Sequence, residues 1–204
     1  MITHRLRRRA AATVLSLSAV LATTAAVPPA SSTAPTATPF TKAAPVCPRF
    51  EDKIKAAADR RVDIGRITPT PVWRTTCGTL WRNDNRGPAT IFEQGFLPRD
   101  VLDGQYDIEK YVLVNQPSPY VSTTYDHDLF KTWKSKYNYY VDAPGGIDVN
   151  KTIGDTHKWA DQVEVAFPGG IARQYIIGAC PVDKATKTEI MSDCESNPYY
   201  VPWH

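Results

Sequence analysis

Prolines and glycines divide most of this chain into short segments, which limits the length of any helix. Its 204 residues include 17 prolines and 11 glycines, and both residue types disfavour the interior of a helix. Runs rich in β-branched and aromatic residues, which favour strands, occupy residues 76–82, 120–125, 137–141, 161–167, 174–180 and 186–191. Residues 50–61, 89–94 and 126–133 are predicted to form short helices. The sequence therefore predicts a β-dominated α+β fold.

The first 45 residues have the composition of an export segment. Four arginines precede an apolar stretch, residues 10–26, that ends in small residues, as in a secretory signal peptide. Residues 27–45 are mainly Pro, Ala, Ser and Thr and bury too little apolar surface to fold. We therefore predict a signal peptide at 1–26, a disordered spacer at 27–45 and one catalytic domain at 46–204. A retained membrane anchor is the alternative, although a spanning helix needs about 20 apolar residues.

The positive charge of the whole chain comes from the predicted signal peptide. Lys and Arg number 24 against 21 Asp and Glu, and setting aside the four arginines of the signal peptide leaves 20 against 21. A mature chain with this balance lacks the basic surface that tight, salt-dependent DNA binding requires.

The chain contains four cysteines, all of which follow the export segment. They are Cys47, Cys77, Cys180 and Cys194. No Cys-x-x-Cys pair occurs, so a zinc site is not expected, and an even count in an exported chain predicts disulfides. Three pairings are possible. We favour Cys47–Cys77, which would tie the N-terminal segment to the first strand, and Cys180–Cys194, which would close a C-terminal hairpin.

Residues 161–167 show the alternation of a half-buried strand. Val163, Val165 and Phe167 would face the core, because successive side chains of a strand point to opposite faces. Gln162 and Glu164 would then share the other face. Taken alone, this face is either a solvated polar surface or part of a catalytic site.

Three separated motifs together resemble those of the mono-ADP-ribosyltransferases of the cholera and pertussis toxin class. They are Arg82, Ser122-Thr123-Thr124 and Gln162-x-Glu164. The class is marked by an Arg, a Ser-Thr-Ser-like strand and a Glu/Gln-x-Glu strand. Residues 80–88 are also similar to the N-terminal signature of the toxins, although Asn85 and Gly87 replace its usual Ser and Pro.

Two further runs resemble the exported bacterial guanine-specific ADP-ribosyltransferases typified by Scabin, within the pierisin-like subgroup. They are Tyr-Val-Leu-Val-Asn-Gln-Pro-Ser-Pro-Tyr at 111–120 and His-Lys-Trp at 157–159. The resemblance covers residues 47–204. It implies two packed, mostly antiparallel β-sheets with peripheral helices, a nicotinamide cleft between the sheets, and NAD as co-substrate without a metal.

The resemblance assigns roles in NAD cleavage. It implies that Glu164 binds the 2′-hydroxyl of the nicotinamide ribose and stabilises the cationic sugar, while Ser122 orients Glu164 through a hydrogen bond. Arg82 would hold the NAD phosphates, because a guanidinium suits bidentate phosphate contacts. The NAD site would be completed by Asn115, Thr123 and Trp133. Trp133 could equally be a core residue, since aromatic side chains at helical spacing usually pack.

The acceptor is predicted from Gln162 and Trp159. Arginine-modifying members of the class carry Glu where this chain has Gln162, and a neutral amide complements the amide-like edge of guanine. Trp159 offers a face for stacking a base. The resemblance implies that the 2-amino group of guanine attacks the ribose carbon, with Glu164 assisting proton removal. We expect a secreted monomer that acts on nucleosides, nucleotides or DNA and needs no membrane after signal cleavage.

Three other functions stay open. Gln-x-Glu also occurs in class members that modify asparagine on proteins. An NAD glycohydrolase would differ only in using water as acceptor, and a secreted nucleotide-binding module would keep the fold without the chemistry. Asp126-His127-Asp128 suggests metal ligands, but consecutive side chains diverge, so we predict no metal site there.

Overall fold

Eight short strands carry the fold in the computed structural model, which describes residues 47–49 and 51–204. The strands are β1 Leu80–Asp84, β2 Tyr120–Thr124, β3 Tyr137–Val141, β4 Ile147–Asp148, β5 Glu164–Pro168, β6 Ile176–Asp183, β7 Thr188–Glu189 and β8 Glu195–Ser196. The α-helices are α1 Pro88–Gln94, α2 Ile108–Val114 and α3 Val149–Ile153. The predicted β-dominated α+β class is confirmed. The signal peptide and the spacer lie outside the described residues, and the domain limits of 46 and 204 stay a prediction.

All pairings between these strands are antiparallel, in the order β4-β5-β2-β1-β3-β6-β7, with β8 pairing to β6. β1 pairs with β3 over five consecutive residues, but it pairs with β2 at one position, Trp81 opposite Thr124. This single pair divides the strands into two parts. Both parts contribute to the same core, Val121 and Phe167 from one and Leu80 and Tyr139 from the other. The predicted antiparallel architecture is therefore present as one sheet of eight strands, whose two parts meet at one residue pair and share a core.

Helix α1 follows the prediction for residues 89–94. Pro88 begins the helix, where its missing N–H costs no hydrogen bond, and Gly95 ends it. Gly95 has a φ of 71°, and a Cβ atom there would collide with the carbonyl oxygen of Ile171. Glycine is therefore required at this turn, which leads the chain toward the cleft described below.

Helix α2 was not predicted. The side chain of Asp107 accepts a hydrogen bond from the N–H of Lys110 and so caps the first turn. Asn115 ends the helix in the left-handed conformation, with φ 53°, and its N–H donates to the carbonyl of Tyr111. An Asp directly before Ile-Glu-Lys is an N-terminal helix signal that the sequence does contain.

The helix predicted at residues 50–61 is wrong. The described part of this range forms separate turns, such as the one closed by the N–H of Ala57 and the carbonyl of Ile54. The N–H of Asp59 instead donates to the carbonyl of Gly169, 2.8 Å away. A tertiary backbone partner thus replaces the hydrogen bond that a helix would have formed.

Other predicted elements are shifted. The first strand begins at Leu80 rather than at residue 76 and has neighbours on both sides, so Arg82 is the third residue of a central strand. The helix predicted at 126–133 is a 3-10 turn at His127–Lys131. The side chain of Asp126 accepts from the N–H of Asp128, which tightens this turn. The strand predicted at 137–141 is confirmed as β3.

Both favoured disulfides are present, Cys47–Cys77 and Cys180–Cys194. Within residues 47–49 and 51–204, none of the helices is long and apolar enough to cross a membrane.

Candidate active site

A cleft of about 720 Å³ opens where β1, β2, β5 and α2 meet. This volume is in the range of small-molecule sites in proteins. Every predicted site residue other than the cysteines lines it: Arg82, Asn115, Ser122, Thr123, Trp133, Trp159, Gln162 and Glu164. Residues 82 and 164 lie far apart in the chain, so the sheet brings these side chains together.

Gln162 and Glu164 reach the cleft by a different backbone path from the one predicted. Residues Ala160–Gln162 form a 3-10 turn, and β5 begins only at Glu164. Val163, between them, has φ 40° and ψ 53°, the left-handed conformation. The predicted strand alternation across residues 161–167 is therefore wrong at Gln162 and Val163. The turn forms because the carbonyls of Trp159 and Ala160 accept the N–H groups of Gln162 and Val163, each at 3.0 Å.

Glu164 lies at the start of β5, opposite Thr124 of β2, and is 8% exposed. Burial raises the pKa of its carboxyl group, whereas hydrogen bonds from Ser122 and Tyr111 and the charge of Arg82 act in the opposite direction. The Tyr111 hydroxyl donates to Oε1 of Glu164 over 2.9 Å. A carboxylate with this set of partners suits stabilisation of a positive charge in the cleft.

Tyr111 lines the cleft and contacts Glu164, but the sequence predicted no role for it. It lies on α2, four residues before Asn115, so the two residues are one helical turn apart. Burial and the neighbouring Glu164 raise the pKa of Tyr111 well above its ordinary value. The hydroxyl is therefore a permanent donor at neutral pH. The Tyr at position 111 begins a run that supported the family resemblance, and this was the available signal.

Arg82 is held by two neighbours. Its Nη1 donates to the carbonyl of Ser122 at 2.7 Å, and its Nη2 donates to the carboxylate of Asp84 at 3.1 Å. Asp84 also pairs with Arg86 at 2.7 Å. Burial opposes ionisation of Asp84, but the hydrogen bond from Arg86 and the charge of Arg82 lower its pKa to about 2. Asp84 thus keeps two guanidinium groups together at the cleft, where they suit a phosphate-bearing ligand.

The two tryptophans are exposed at the mouth of the cleft. Trp133 is 49% exposed and Trp159 is 42% exposed, so the core interpretation of Trp133 is wrong. The ammonium group of Lys158 lies 4.8 Å from the centre of the Trp159 ring. A cation and an aromatic face are thus available to a ligand that approaches beside Gln162.

Two of the predicted site residues form hydrogen bonds with other residues of the protein. The Thr123 hydroxyl donates to the carbonyl of Val165 at 2.9 Å and is 2% exposed, so it links β2 to β5. The Asn115 side-chain oxygen accepts from Nη2 of Arg99 at 2.8 Å. The remaining amide hydrogens of Asn115 are those that could face a ligand.

The Asp126-His127-Asp128 segment makes contacts within the protein. The ring nitrogens of His127 lie 3.0 Å from Asp128, 3.1 Å from Glu189 and 3.1 Å from the Tyr140 hydroxyl. Among the described residues, no group of three or more His, Cys, Asp or Glu side chains is arranged to hold a metal ion.

Comparison with known proteins finds close relatives. The Scabin-like family matches residues 80–200. A guanine-specific ADP-ribosyl transferase of Streptomyces coelicolor is 80% identical over 164 residues, which cover 80% of this chain and 80% of that protein. Scabin toxin from Streptomyces scabies in complex with NADH superposes with a TM-score of 0.79 at 77% identity, over 79% of this chain and 99% of that chain. Pierisin of Pieris brassicae is 40% identical over 113 residues, which cover 49% of this chain and 13% of that protein.

Proposed function

The chain belongs to the Scabin-like family, and from this premise we propose that it is an NAD-dependent mono-ADP-ribosyltransferase that modifies guanine. It cleaves NAD, releases nicotinamide and transfers ADP-ribose to the exocyclic 2-amino group of the base. The observation that carries the proposal is the convergence of Arg82, Glu164 and Gln162 on one cleft in a chain 80% identical to a guanine-specific ADP-ribosyl transferase. The resemblance to this class and subgroup is confirmed by these relatives.

Glu164 acts on the nicotinamide ribose. When the bond between the ribose C1′ and the nicotinamide nitrogen breaks, its electron pair leaves with nicotinamide and the sugar becomes cationic. A buried carboxylate favours this charged state over the ground state, which lowers the barrier. The position of Glu164 beside Ser122 and Tyr111 supports this role.

Arg82 and Arg86 hold the pyrophosphate. Both guanidinium groups border the cleft and are bridged by Asp84, and a planar guanidinium can bind two phosphate oxygens at once. Asn115 binds the adenine-side ribose or phosphate. Trp133 covers the nicotinamide. With the donor held in this way, C1′ is presented toward Glu164.

Gln162 and Trp159 select the acceptor. The amide of Gln162 offers both a donor and an acceptor to the edge of guanine, and Trp159 stacks on the base. The 2-amino nitrogen then forms a bond to C1′ and loses a proton, which Glu164 accepts. The near-neutral predicted mature chain suits nucleosides, nucleotides and weakly held DNA.

We further propose that residues 1–26 direct export and are then removed, and that the mature chain works as a monomer without a metal ion. The basic head, apolar middle and small-residue end of that segment support export.

The test uses NAD labelled in its adenylate half, offered with guanosine, inosine, DNA or cell lysate. Inosine is the matched control because it differs from guanosine in lacking the 2-amino group. Label on guanosine and not on inosine is expected, and Glu164→Ala should abolish it. Label confined to protein would identify a protein-modifying enzyme. Free ADP-ribose as the one labelled product would identify an NAD glycohydrolase. Uncleaved NAD would indicate a nucleotide-binding module without catalytic activity.

A further inference from the structure

We infer that Tyr111 is a positioning residue for Glu164, whose hydroxyl holds one carboxylate oxygen so that the other stays directed at the ribose of NAD. The inference rests on the proposed function, because it specifies how the acidic residue of that site is kept in place. It concerns a residue to which the sequence motifs assign no role.

The contact is direct. The Tyr111 hydroxyl donates to Oε1 of Glu164 over 2.9 Å, and Glu164 is 8% exposed. The terminal torsion of a glutamate side chain has a broad, roughly twofold preference, so it does not hold the carboxylate plane by itself. A donor fixed on Oε1 adds to the hydrogen bond from Ser122 in restraining that plane, and the carboxylate keeps further lone pairs for the ribose hydroxyl.

The donor is itself held firmly. The Tyr111 ring packs against the ring of Tyr120, with centroids 4.9 Å apart, and the Tyr120 hydroxyl donates to the carbonyl of Tyr106 at 2.6 Å. At the C-terminal end of α2, Nη2 of Arg99 donates to the carbonyls of Asn115 and Gln116 at 3.0 and 2.6 Å. These contacts restrain both the ring and the helix end, so the hydroxyl cannot follow a rotating carboxylate.

The hydrogen bond also acts on the charge of Glu164. The polar groups that face this carboxyl group are Tyr111 from α2, Ser122 from β2 and Arg82 from β1, and all three favour its ionised form while burial disfavours it. Removing the Tyr111 hydroxyl therefore raises the pKa of Glu164 further. The ionised enzyme is then formed only at higher pH, so the acid limb of the activity profile moves upward.

The experiment compares wild type with Tyr111→Phe across the pH range, with NAD hydrolysis and transfer to guanosine as readouts. Phenylalanine keeps the ring and its packing. We expect the acid limb of kcat/KM to move up by about one pH unit, as for loss of one hydrogen bond to a charged group. At neutral pH, kcat should fall by about tenfold, with KM for NAD changed by less than about threefold.

The matched control is Tyr199→Phe. The Tyr199 hydroxyl donates to Oε1 of Glu93 at 2.6 Å on the surface, so the same hydroxyl-to-carboxylate bond is lost at another site. This variant should keep the wild-type pH profile. An equal shift in both variants, or none in Tyr111→Phe, would overturn the inference.

A second variant tests the inference if Tyr111→Phe does not fold. Site-specific 3-fluorotyrosine at position 111 keeps the hydroxyl and makes it a stronger donor, so the acid limb should move to lower pH, opposite to the effect of phenylalanine. An unchanged limb with fluorotyrosine would also count against the inference.

Failure of the proposed function can be recognised separately. If wild type labels protein rather than guanosine, the assignment of guanine as acceptor is wrong. The pH profile of NAD hydrolysis then still measures the effect of Tyr111→Phe. If wild type cleaves no NAD, the proposed function fails. Carbon-13 NMR titration of the Glu164 carboxyl group, assigned with Glu164→Gln, still measures whether Tyr111→Phe raises its pKa.

Discussion

The Thr124 hydroxyl donates to the backbone carbonyl of Gln162 over 2.6 Å. This bond ties the last residue of β2 to the 3-10 turn that carries the acceptor-side residues. Thr124 also stands opposite Glu164 in the strand register. One threonine therefore sets the spacing between the residue proposed to act on NAD and the residue proposed to select guanine.

Replacing Thr124 by Val should loosen that turn while keeping a side chain of similar shape at position 124. The Thr124 hydroxyl also accepts from the N–H of Asp126 at 2.8 Å, so the substitution removes two hydrogen bonds and should lower the free energy of unfolding by about 2 kcal/mol. Because the turn carries Gln162, transfer to guanosine should fall relative to NAD hydrolysis by about fivefold. Both products can be measured in one labelled-NAD assay.

The control is Thr152→Val, which removes a hydroxyl that donates to the carbonyl of Asp148 at 2.7 Å. That bond joins α3 to Asp148, the last residue of β4, and lies outside the cleft. The Thr152 hydroxyl also accepts from the N–H of Val72 at 3.0 Å, so this variant likewise loses two hydrogen bonds. An unchanged ratio of products is expected there, and an unchanged ratio in Thr124→Val would contradict the prediction.

Gln162→Glu should separate acceptor choice from NAD cleavage. The two side chains have the same shape, but a carboxylate offers only acceptors where the amide offers a donor as well. A guanine edge would then lose a partner, so transfer to guanosine should drop by about tenfold. NAD hydrolysis should stay near the wild-type rate. Equal transfer by both forms would remove the basis for assigning Gln162 to the acceptor.

Asp84→Asn should lower stability in a pH-dependent way. The pKa of Asp84 is lowered from 3.8 to about 2, and its side chain is 9% exposed. Its ionised form therefore contributes about 2 kcal/mol at neutral pH, estimated from the shift. The contribution is present above pH 4 and is lost as the pH falls through about 2. The difference in unfolding free energy between wild type and variant should shrink accordingly in urea titrations.

The same substitution should raise KM for NAD, because Arg82 loses its charged partner. Asp128→Asn serves as the comparison, since Asp128 is 56% exposed and pairs with Lys131 on the surface. An exposed ion pair contributes little. If Asp128→Asn lowers the free energy of unfolding and raises KM for NAD as much as Asp84→Asn does, burial of Asp84 is not the cause.

Position 163 should accept a residue that is suited to the left-handed region of backbone conformation. A β-branched side chain at φ 40° is strained by an amount of order 1–3 kcal/mol. Val163→Asn should therefore leave the free energy of unfolding unchanged or raise it by up to about 1 kcal/mol. Val165→Asn, at a fully buried extended position, should lower it by about 1–3 kcal/mol. Thermal and urea denaturation of the two variants decide the point.

Several elements were predictable because their signals are local. Pro88 and Gly95 mark both ends of α1, and the aromatic run at residues 137–141 forms β3 as expected. The segment at 51–61 has helical composition but forms turns, because Asp59 finds a backbone partner in Gly169. Competition between a local and a distant hydrogen bond cannot be judged from the segment itself.

The candidate site divides in the same way. Arg82, Ser122, Gln162 and Glu164 were identified from residue types in characteristic order, and all of them line the cleft. The backbone path through Val163 was not identified, because alternating polarity reads the same whether a segment enters a strand directly or through a tight turn. Both paths leave Gln162 and Glu164 at the cleft.

The sequence by itself determined the chemical groups of this protein and the family to which it belongs, since motifs are properties of residue type and order. Only the tertiary structure decided that Tyr111 donates to Glu164, 53 residues later in the chain. That contact depends on how α2 packs against β2 and β5, and the packing of distant segments leaves no periodic pattern in either one. For the same reason Thr124 could be recognised as a strand residue, but not as the group that holds Gln162 in place.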